Sequence, residues 1–259
     1  MNTPVLIAAR NEAEHIGRSL AALPRDVEPI VIPNGCEDNT AEIARDYGAT
    51  VLRCDVESKV RALQTAVWHL GERATEPFII MDADTRPMQP KNWLSKMLQA
   101  RRNLAADKPA IVAGGVKFEG GASPNFHSLR FSAKQFITRH DATRGEFRGN
   151  NLLLHPQNHS TVNDILRLGL VWPGEDLALK DIILRNGGAG IKTVHPRATV
   201  YSDGSRLLSM HDWIHASSHN PTSSDYSVDA PPGHVPYTGQ IEDFLQDIPA
   251  YTPLTVQPS

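Results

Sequence analysis

The first 88 residues repeat one pattern: a short apolar run, a polar turn, an amphipathic stretch, then another apolar run. This alternation constrains the fold more than any other feature, because parallel strands need a crossover long enough to hold a helix. Pro4–Ala9 reads as a buried strand. Asn11 with Glu14 three residues on has the form of a capping box, and Ala13, Ile16, Leu20 and Leu23 would share one face of the following helix. Pro29–Ile32 reads as a second strand. Asp38 or Asn39 can cap a helix over Thr40–Tyr47, with Gly48 closing it. Ala49–Arg53 reads as a third strand. Glu57–Leu70 puts Val60, Leu63, Val67 and Leu70 on one helix face, and Phe78–Met81 is a fourth strand. The expected class is α/β: a mostly parallel central sheet with helices on both faces. In such sheets ligands bind beyond the carboxyl ends of the strands. Those ends carry Arg10–Glu12, Pro33–Asp38 and Asp82–Asp84.

The second half is less regular. Trp93–Leu104 reads as a helix, Ala110–Phe118 as a strand interrupted by Gly114–Gly115, and Pro124–His140 as a helix. Asn151–His155 reads as a strand and Glu175–Arg185 as a helix closed by Gly187–Gly188; Ile191–Val194 and Ala198–Tyr201 are short strands. We expect one domain over residues 1–220, with halves over 1–88 and 89–220, and a Pro-, Ser- and Asp-rich tail or flap over 221–259. With 26 Lys and Arg against 29 Asp and Glu, the net charge of −3 gives no basic excess for nucleic acid. Two cysteines exclude a disulfide scaffold or a Cys-rich zinc site. No apolar run approaches the ~20 residues that a membrane-spanning helix needs, and the start lacks the pattern of a secretory signal. The expected setting is cytoplasmic, with peripheral contact at the inner face of a membrane left open.

Asp82-Ala83-Asp84 follows the fourth apolar run directly. In an extended chain residues i and i+2 point the same way, so both carboxylates could reach one hard cation such as Mn²⁺ or Mg²⁺. The alternative is a solvated acidic turn. Four other segments stand around this triplet: Ile7-Ala8-Ala9-Arg10-Asn11-Glu12, Ile32-Pro33-Asn34-Gly35-Cys36-Glu37-Asp38-Asn39-Thr40, Ser58-Lys59-Val60-Arg61-Ala62-Leu63 and Gly174-Glu175-Asp176. Together, in this order, they resemble the family 2 glycosyltransferases with the GT-A fold, over about residues 3–205.

The resemblance implies a metal-dependent, inverting transfer of a sugar from a nucleotide-diphosphate sugar to a hydroxyl acceptor. It implies a donor pocket built from Ala9, Arg10, Asn11, Glu12, Asn34, Asp38 and Lys59, with Asp82 and Ala83 on the donor. Asp82 and Asp84 would hold the metal, and Lys59 would meet the diphosphate. Asp176, beside Glu175, would be the base that takes the acceptor's proton, and Gly149-Asn150-Asn151 would form an acceptor-side loop, with Asn150 on substrate. Four positions depart from the family pattern: Ala8 stands for proline, Pro33 for aspartate, Cys36 for serine and Val60 for glycine. Pro33 offers no carboxylate to a base. Asn34 can still pair with a base edge, which leaves UDP-, GDP- and dTDP-linked donors open.

Many relatives place a metal-binding histidine where Ser202 and Asp203 stand here. Asp203 could ligate instead, or water could complete the shell; His195 lies upstream as a weaker candidate. His211, His215 and His219 would share a helix face. Arg144 and Arg148 could meet an anionic acceptor. Two other readings compete. A nucleotidyltransferase would need a Gly-rich basic loop, and Arg10–Ala13 contains no glycine. A non-catalytic module binding a nucleotide-sugar or glycan is motivated by Pro33, Val60 and Ser202.

Overall fold

The structure, a computed structural model, describes residues 2–55, 57–120, 129, 133, 150–168, 175–193 and 195–203. The expected helix over 124–140 apart from Leu129 and Ala133, Arg144, Arg148, Gly149, Gly174, the three histidines at 211, 215 and 219, and the tail over 221–259 lie outside the described residues.

A seven-stranded sheet runs in the order β3-β2-β1-β4-β8-β6-β9. Its strands are β1 (Thr3–Ala9), β2 (Val27–Pro33), β3 (Thr50–Val51), β4 (Phe78–Asp82), β6 (Ala110–Ala113), β8 (Leu152–His155) and β9 (Ala189–Lys192). Only β8 is antiparallel to its neighbours β4 and β6; the other pairings are parallel. The crossovers carry α1 (Ile16–Ala21), α2 (Thr40–Asp46), α3 (Lys59–Leu70), α4 (Pro90–Arg102), α5 (His159–Leu166) and α6 (Glu175–Arg185). A three-stranded sheet, β5-β10-β7, is built from β5 (Arg86–Pro87), β10 (Val200–Asp203) and β7 (Val116–Glu119).

Strand alternation divides the core in two. Leu6, Ile30, Ile32, Phe78 and Ile80 pack with α3, α5 and α6 through Leu63, Val67, Ile165 and Ile183. Val5, Ile7, Val31, Ile79 and Met81 face the other way, against Ile16, Leu20, Ala44, Trp93 and Met97. The parallel α/β sheet with two covered faces is thus as the apolar runs require. No helix among the described residues is long and apolar enough to cross a membrane.

Several local expectations are corrected. The third strand shrinks from Ala49–Arg53 to Thr50–Val51, paired with Ile30 and Val31. Asn34 donates from its amide to the Ala9 carbonyl of β1, so residues of the other parity in β2 address β3. Those include Pro29 and Pro33, which have no N–H to offer; Val31 between them accepts from Leu52 N at 2.9 Å, and past Pro33 a single bridge joins Asn34 to Cys54. The apolar run Ala110–Phe118 is two strands in two sheets. At the break, a Cβ on Gly114 would strike the Asn151 amide and the Ala198 carbonyl. Asn151 is fully buried and ties three elements: its Nδ2 donates to Gly115 O and Ala198 O, each at 2.9 Å, and its Oδ1 accepts from Trp93 Nε1 at 3.1 Å. Its side chain is thus a strut between them. Helix α5 was not expected from the sequence; Asn158 caps it by accepting from Thr161 N at 2.9 Å, and Gln64 of α3 donates to the carbonyls of Ile165, Leu166 and Leu168 at its far end.

At the edge away from the site, Arg101 of α4 donates from Nε to His155 Nδ1 at 2.7 Å. Burial and the adjacent guanidinium push the His155 imidazole down to about 4. The unfolded chain takes up this proton near its ordinary value of about 6.5, so between about 6.5 and 4 it binds more protons than the native state. Stability therefore falls as pH drops through that window. His155→Gln, which keeps an acceptor for Arg101 without titrating, should flatten the fall in melting temperature measured across the same range. Asn151→Ala, leaving buried partners unpaired, should lower unfolding free energy by about 2–4 kcal/mol in urea titrations.

Candidate functional site

The chain runs β1, β2, β3 outward along the sheet and then returns to the other side of β1 as β4. Open α/β sheets bind ligands at such a reversal, beyond the carboxyl ends of the strands, which here means the ends of β1 and β4. The register sets Ala8 beside Asp82. Every sequence-expected donor residue of the first 88 leaves the sheet at or near this edge.

The β1–α1 and β2–α2 loops are stitched into one wall. Asn11 has a positive φ of 52°, a conformation asparagine tolerates. Its amide donates to Cys36 Sγ at 3.3 Å, and its Oδ1 accepts from Glu37 N at 2.9 Å. The Cys36 thiol donates to Ala9 O at 3.2 Å. Glu12 N donates to Thr40 Oγ1 at 2.8 Å, and Ala13 N to Asp38 Oδ2 at 3.0 Å. The expected capping box at Asn11 and Glu14 does not form. These amides are spent on the second loop, and α1 begins only at Ile16, after His15, without a side-chain cap. Asp38 also accepts from the Thr40 amide and hydroxyl. Partial burial works against its charge, but the bonds from Thr40 and Ala13 outweigh this and hold Asp38 below the ordinary carboxylate range. At the rim Arg10 pairs with Glu57, both about half exposed. Asn34 is buried.

The acidic triplet differs from its expectation. Strand β4 ends at Asp82, and Thr85 N donates back to Asp82 O at 3.1 Å, so Ala83 and Asp84 lie in a turn. The extended alternation that would aim both carboxylates alike stops at Asp82. Within β4, Asp82 has the parity of Phe78 and Ile80, whose side chains face α3. Its carboxylate emerges at the first turn of that helix. There Lys59 Nζ reaches Asp82 Oδ1 at 2.7 Å and Glu175 Oε1 of α6 at 2.8 Å.

A lysine at the first position of a helix faces the positive end of the helix dipole. Here two carboxylates offset that cost, and Ser58 caps the helix by accepting from Arg61 N at 3.3 Å. Burial lowers the tendency of Lys59 to hold its proton; Asp82 and Glu175 more than reverse this and raise it well above the ordinary lysine value. Glu175 is buried, whereas Asp176, next on α6, is partly exposed. Asn150 is buried, and no described residue donates to its Oδ1.

Asp203 of β10 pairs with His15 Nε2 at 3.5 Å, a neighbour that no local pattern in the sequence points to. Among the described residues no three His, Cys, Asp or Glu side chains converge as a ready-made metal cage. Asp84 accepts from Thr85 Oγ1 at 3.1 Å. His195 caps the following 3₁₀ turn by accepting from Arg197 N at 3.0 Å. Two carboxylates beside an open crevice still suit a hard divalent ion, which keeps waters and takes substrate phosphate oxygens as further ligands.

Two carboxylates and a lysine thus gather at the switch point of a mostly parallel sheet, the place where α/β enzymes bind their ligands. The sequence model for glycosyl transferase family 2 matches residues 5–162. The chain belongs to this family and has the GT-A fold. No curated protein matches it by sequence. Among solved structures, it is similar to a mannosyltransferase from Pyrobaculum calidifontis in complex with GDP-Man and Mn²⁺, at 19% identity and a TM-score of 0.58 over 84% of this chain. The chain spans 61% of that protein's length. It also resembles mannosyl-3-phosphoglycerate synthase from Rubrobacter xylanophilus (15% identity, TM-score 0.51, 84% of this chain and 70% of that one). A third likeness is to glucosyl-3-phosphoglycerate synthase from Mycobacterium tuberculosis with Mn²⁺ and UDP-Glc (16% identity, TM-score 0.51, 84% and 75%).

The stitched loops give a stability prediction. Asp38→Ala removes the acceptor for Ala13 N and for both Thr40 donors. It should lower unfolding free energy by about 1–2 kcal/mol in urea melts, with Asp38→Asn losing less.

Proposed function

We propose that the chain transfers a sugar from a nucleotide-diphosphate sugar to a hydroxyl acceptor, with inversion and with a divalent ion, Mn²⁺ or Mg²⁺. The observation that carries this reading is Lys59, whose ammonium joins Asp82 of the donor side to Glu175 of the following half. Donor and acceptor groups thereby share one crevice. Asp82 and Asp84 would hold the ion on the diphosphate, where it would offset the charge of the leaving nucleoside diphosphate. Asn34 would face the base, and Asn11, Glu12 and Asp38 shape the wall of its pocket. Arg10 and Ala9 line the same edge.

Asp176 is the base in this reading. Glu175 is buried against Lys59, whereas Asp176 projects from the next position of α6, about 100° around the helix. The acceptor oxygen forms its bond to the anomeric carbon as the bond to the diphosphate oxygen breaks, and the hydroxyl proton passes to the Asp176 carboxylate. Attack opposite the leaving group inverts the anomeric centre. Asn150, with its buried Oδ1, lies on the acceptor side. The halves over 1–88 and 89–220 divide donor from acceptor binding. A glycan, a small molecule or a lipid-linked acceptor reached at a cytoplasmic membrane face would each present the hydroxyl this chemistry needs.

The test is calorimetric titration with UDP, GDP, dTDP and CDP, each with and without Mn²⁺. One nucleotide should bind with metal dependence, and Asp84→Ala should abolish that dependence. A folded sample that binds none of them overturns the donor site. With the donor so identified, Asp176→Asn should lower turnover by about 10²–10⁴-fold while leaving nucleotide affinity within about twofold. Unchanged turnover would remove Asp176 from the role of base.

A further inference from the structure

The Lys59 ammonium has three N–H donors, and Asp82 and Glu175 take two of them. The three residues come from three elements, α3, β4 and α6. The Lys59 side chain is 20% exposed and that of Glu175 10%, so solvent screens this pair little, whereas the Asp82 side chain is 35% exposed and opens the cluster to an entering ion. We propose that Lys59 is an internal cation that occupies the carboxylate site in the ligand-free protein and keeps bare divalent metal out. The inference rests on the donor-site reading above and assigns Lys59 a role before the diphosphate arrives.

Three points support it. First, a single positive charge sits against two carboxylates, one of them an expected metal ligand, so an entering divalent ion meets both repulsion from the ammonium and a carboxylate already engaged. Second, α3 is fixed rigidly. Ser58 caps it, and its Val60, Leu63 and Val67 are buried, so the ammonium is held over Asp82 rather than swinging in solvent. Third, a diphosphate supplies oxygen acceptors that an ammonium can take in exchange for a carboxylate. Arrival of the nucleotide then draws Lys59 from Asp82 and releases that carboxylate for the ion. Metal and nucleotide enter together, and free metal alone binds weakly. Lys59 is in this sense a positioning residue, acting through Asp82.

The experiment is titration of the full chain with Mn²⁺ alone, followed by the electron paramagnetic resonance signal of the free ion, with thermal melts run beside it. Wild type should bind Mn²⁺ weakly. Lys59→Met should bind it about tenfold more tightly, and Lys59→Arg, which keeps the charge, should stay with wild type. Adding Asp82→Asn to Lys59→Met should cancel the gain. Should Lys59→Met leave buried Glu175 and half-buried Asp82 too unbalanced to fold, the double variant Lys59→Met/Glu175→Gln keeps the net charge and should show the same tightening. Mn²⁺ binding no tighter than wild type in a folded Lys59-less variant overturns the inference. If Asp84→Ala abolishes nucleotide-dependent metal binding in that case, the donor site stands and only the role of Lys59 falls. If wild type shows no metal-dependent nucleotide binding at all, both fall together.

Discussion

Strand β1 is hydrogen-bonded to β2 on one side and β4 on the other, and its residues pack into the core on both faces. Nothing polar can sit in such a strand until the chain leaves the sheet. The polar residues of the crevice therefore concentrate at a single edge, just past Ala9 and Met81. Because β4 returns beside β1, two of these exits lie next to each other. The amides that emerge at residues 11–13 cannot stay unsatisfied, and the second loop supplies their acceptors. The two loops then behave as one wall whose shape is set by backbone groups as much as by side chains.

Helix α3 is the beam that links this wall to the rest. Its first residue holds the carboxylates of β4 and α6, and one turn further Gln64 gathers three carbonyls at the end of α5. Its apolar face packs on the sheet between them. A helix bonded at these points has little freedom to rotate, so the geometry of its first turn is inherited from the core. Arg86 plays a smaller version of this part in the second sheet, paired with Glu119 and stacked 4.6 Å from the Tyr201 ring.

The sheet and its covering helices were legible because buried parallel strands read as apolar runs and α3 and α6 carry clear caps or periodicity. What failed did so where long-range contacts overrode local chemistry. Asn11 has the spacing of a cap, yet its backbone N–H donates to Cys36 Sγ and its side-chain Oδ1 accepts from Glu37 N, residues no local pattern connects to it. Asp82 and Asp84 have strand spacing, yet the strand stops between them. Helix α5 was missed although Asn158, Val162, Ile165 and Leu166 carry a cap and a period, because the run is short. The candidate site was legible as a set of residues and not as a set of partners. Lys59 matches a motif, but its two carboxylates lie 23 residues ahead at the end of β4 and at the first position of α6. The one available clue was electrostatic: a lysine at the positive end of a helix needs acids nearby. The pairing of His15 with Asp203 left no such clue.

The shortness of β3 reaches beyond the architecture of one molecule. An outer strand with a full row of open amides and carbonyls is a template on which a second chain can pair, and from there grow into an aggregate. Here Pro29 and Pro33 limit what β2 can offer outward, and the last strand on that flank keeps only Thr50 and Val51 in register. Two residues of ladder are too few to hold a foreign strand. Pro33, which leaves the β2 end without one family carboxylate, thus acts with Pro29 to leave that flank of the sheet a poor seed for self-association.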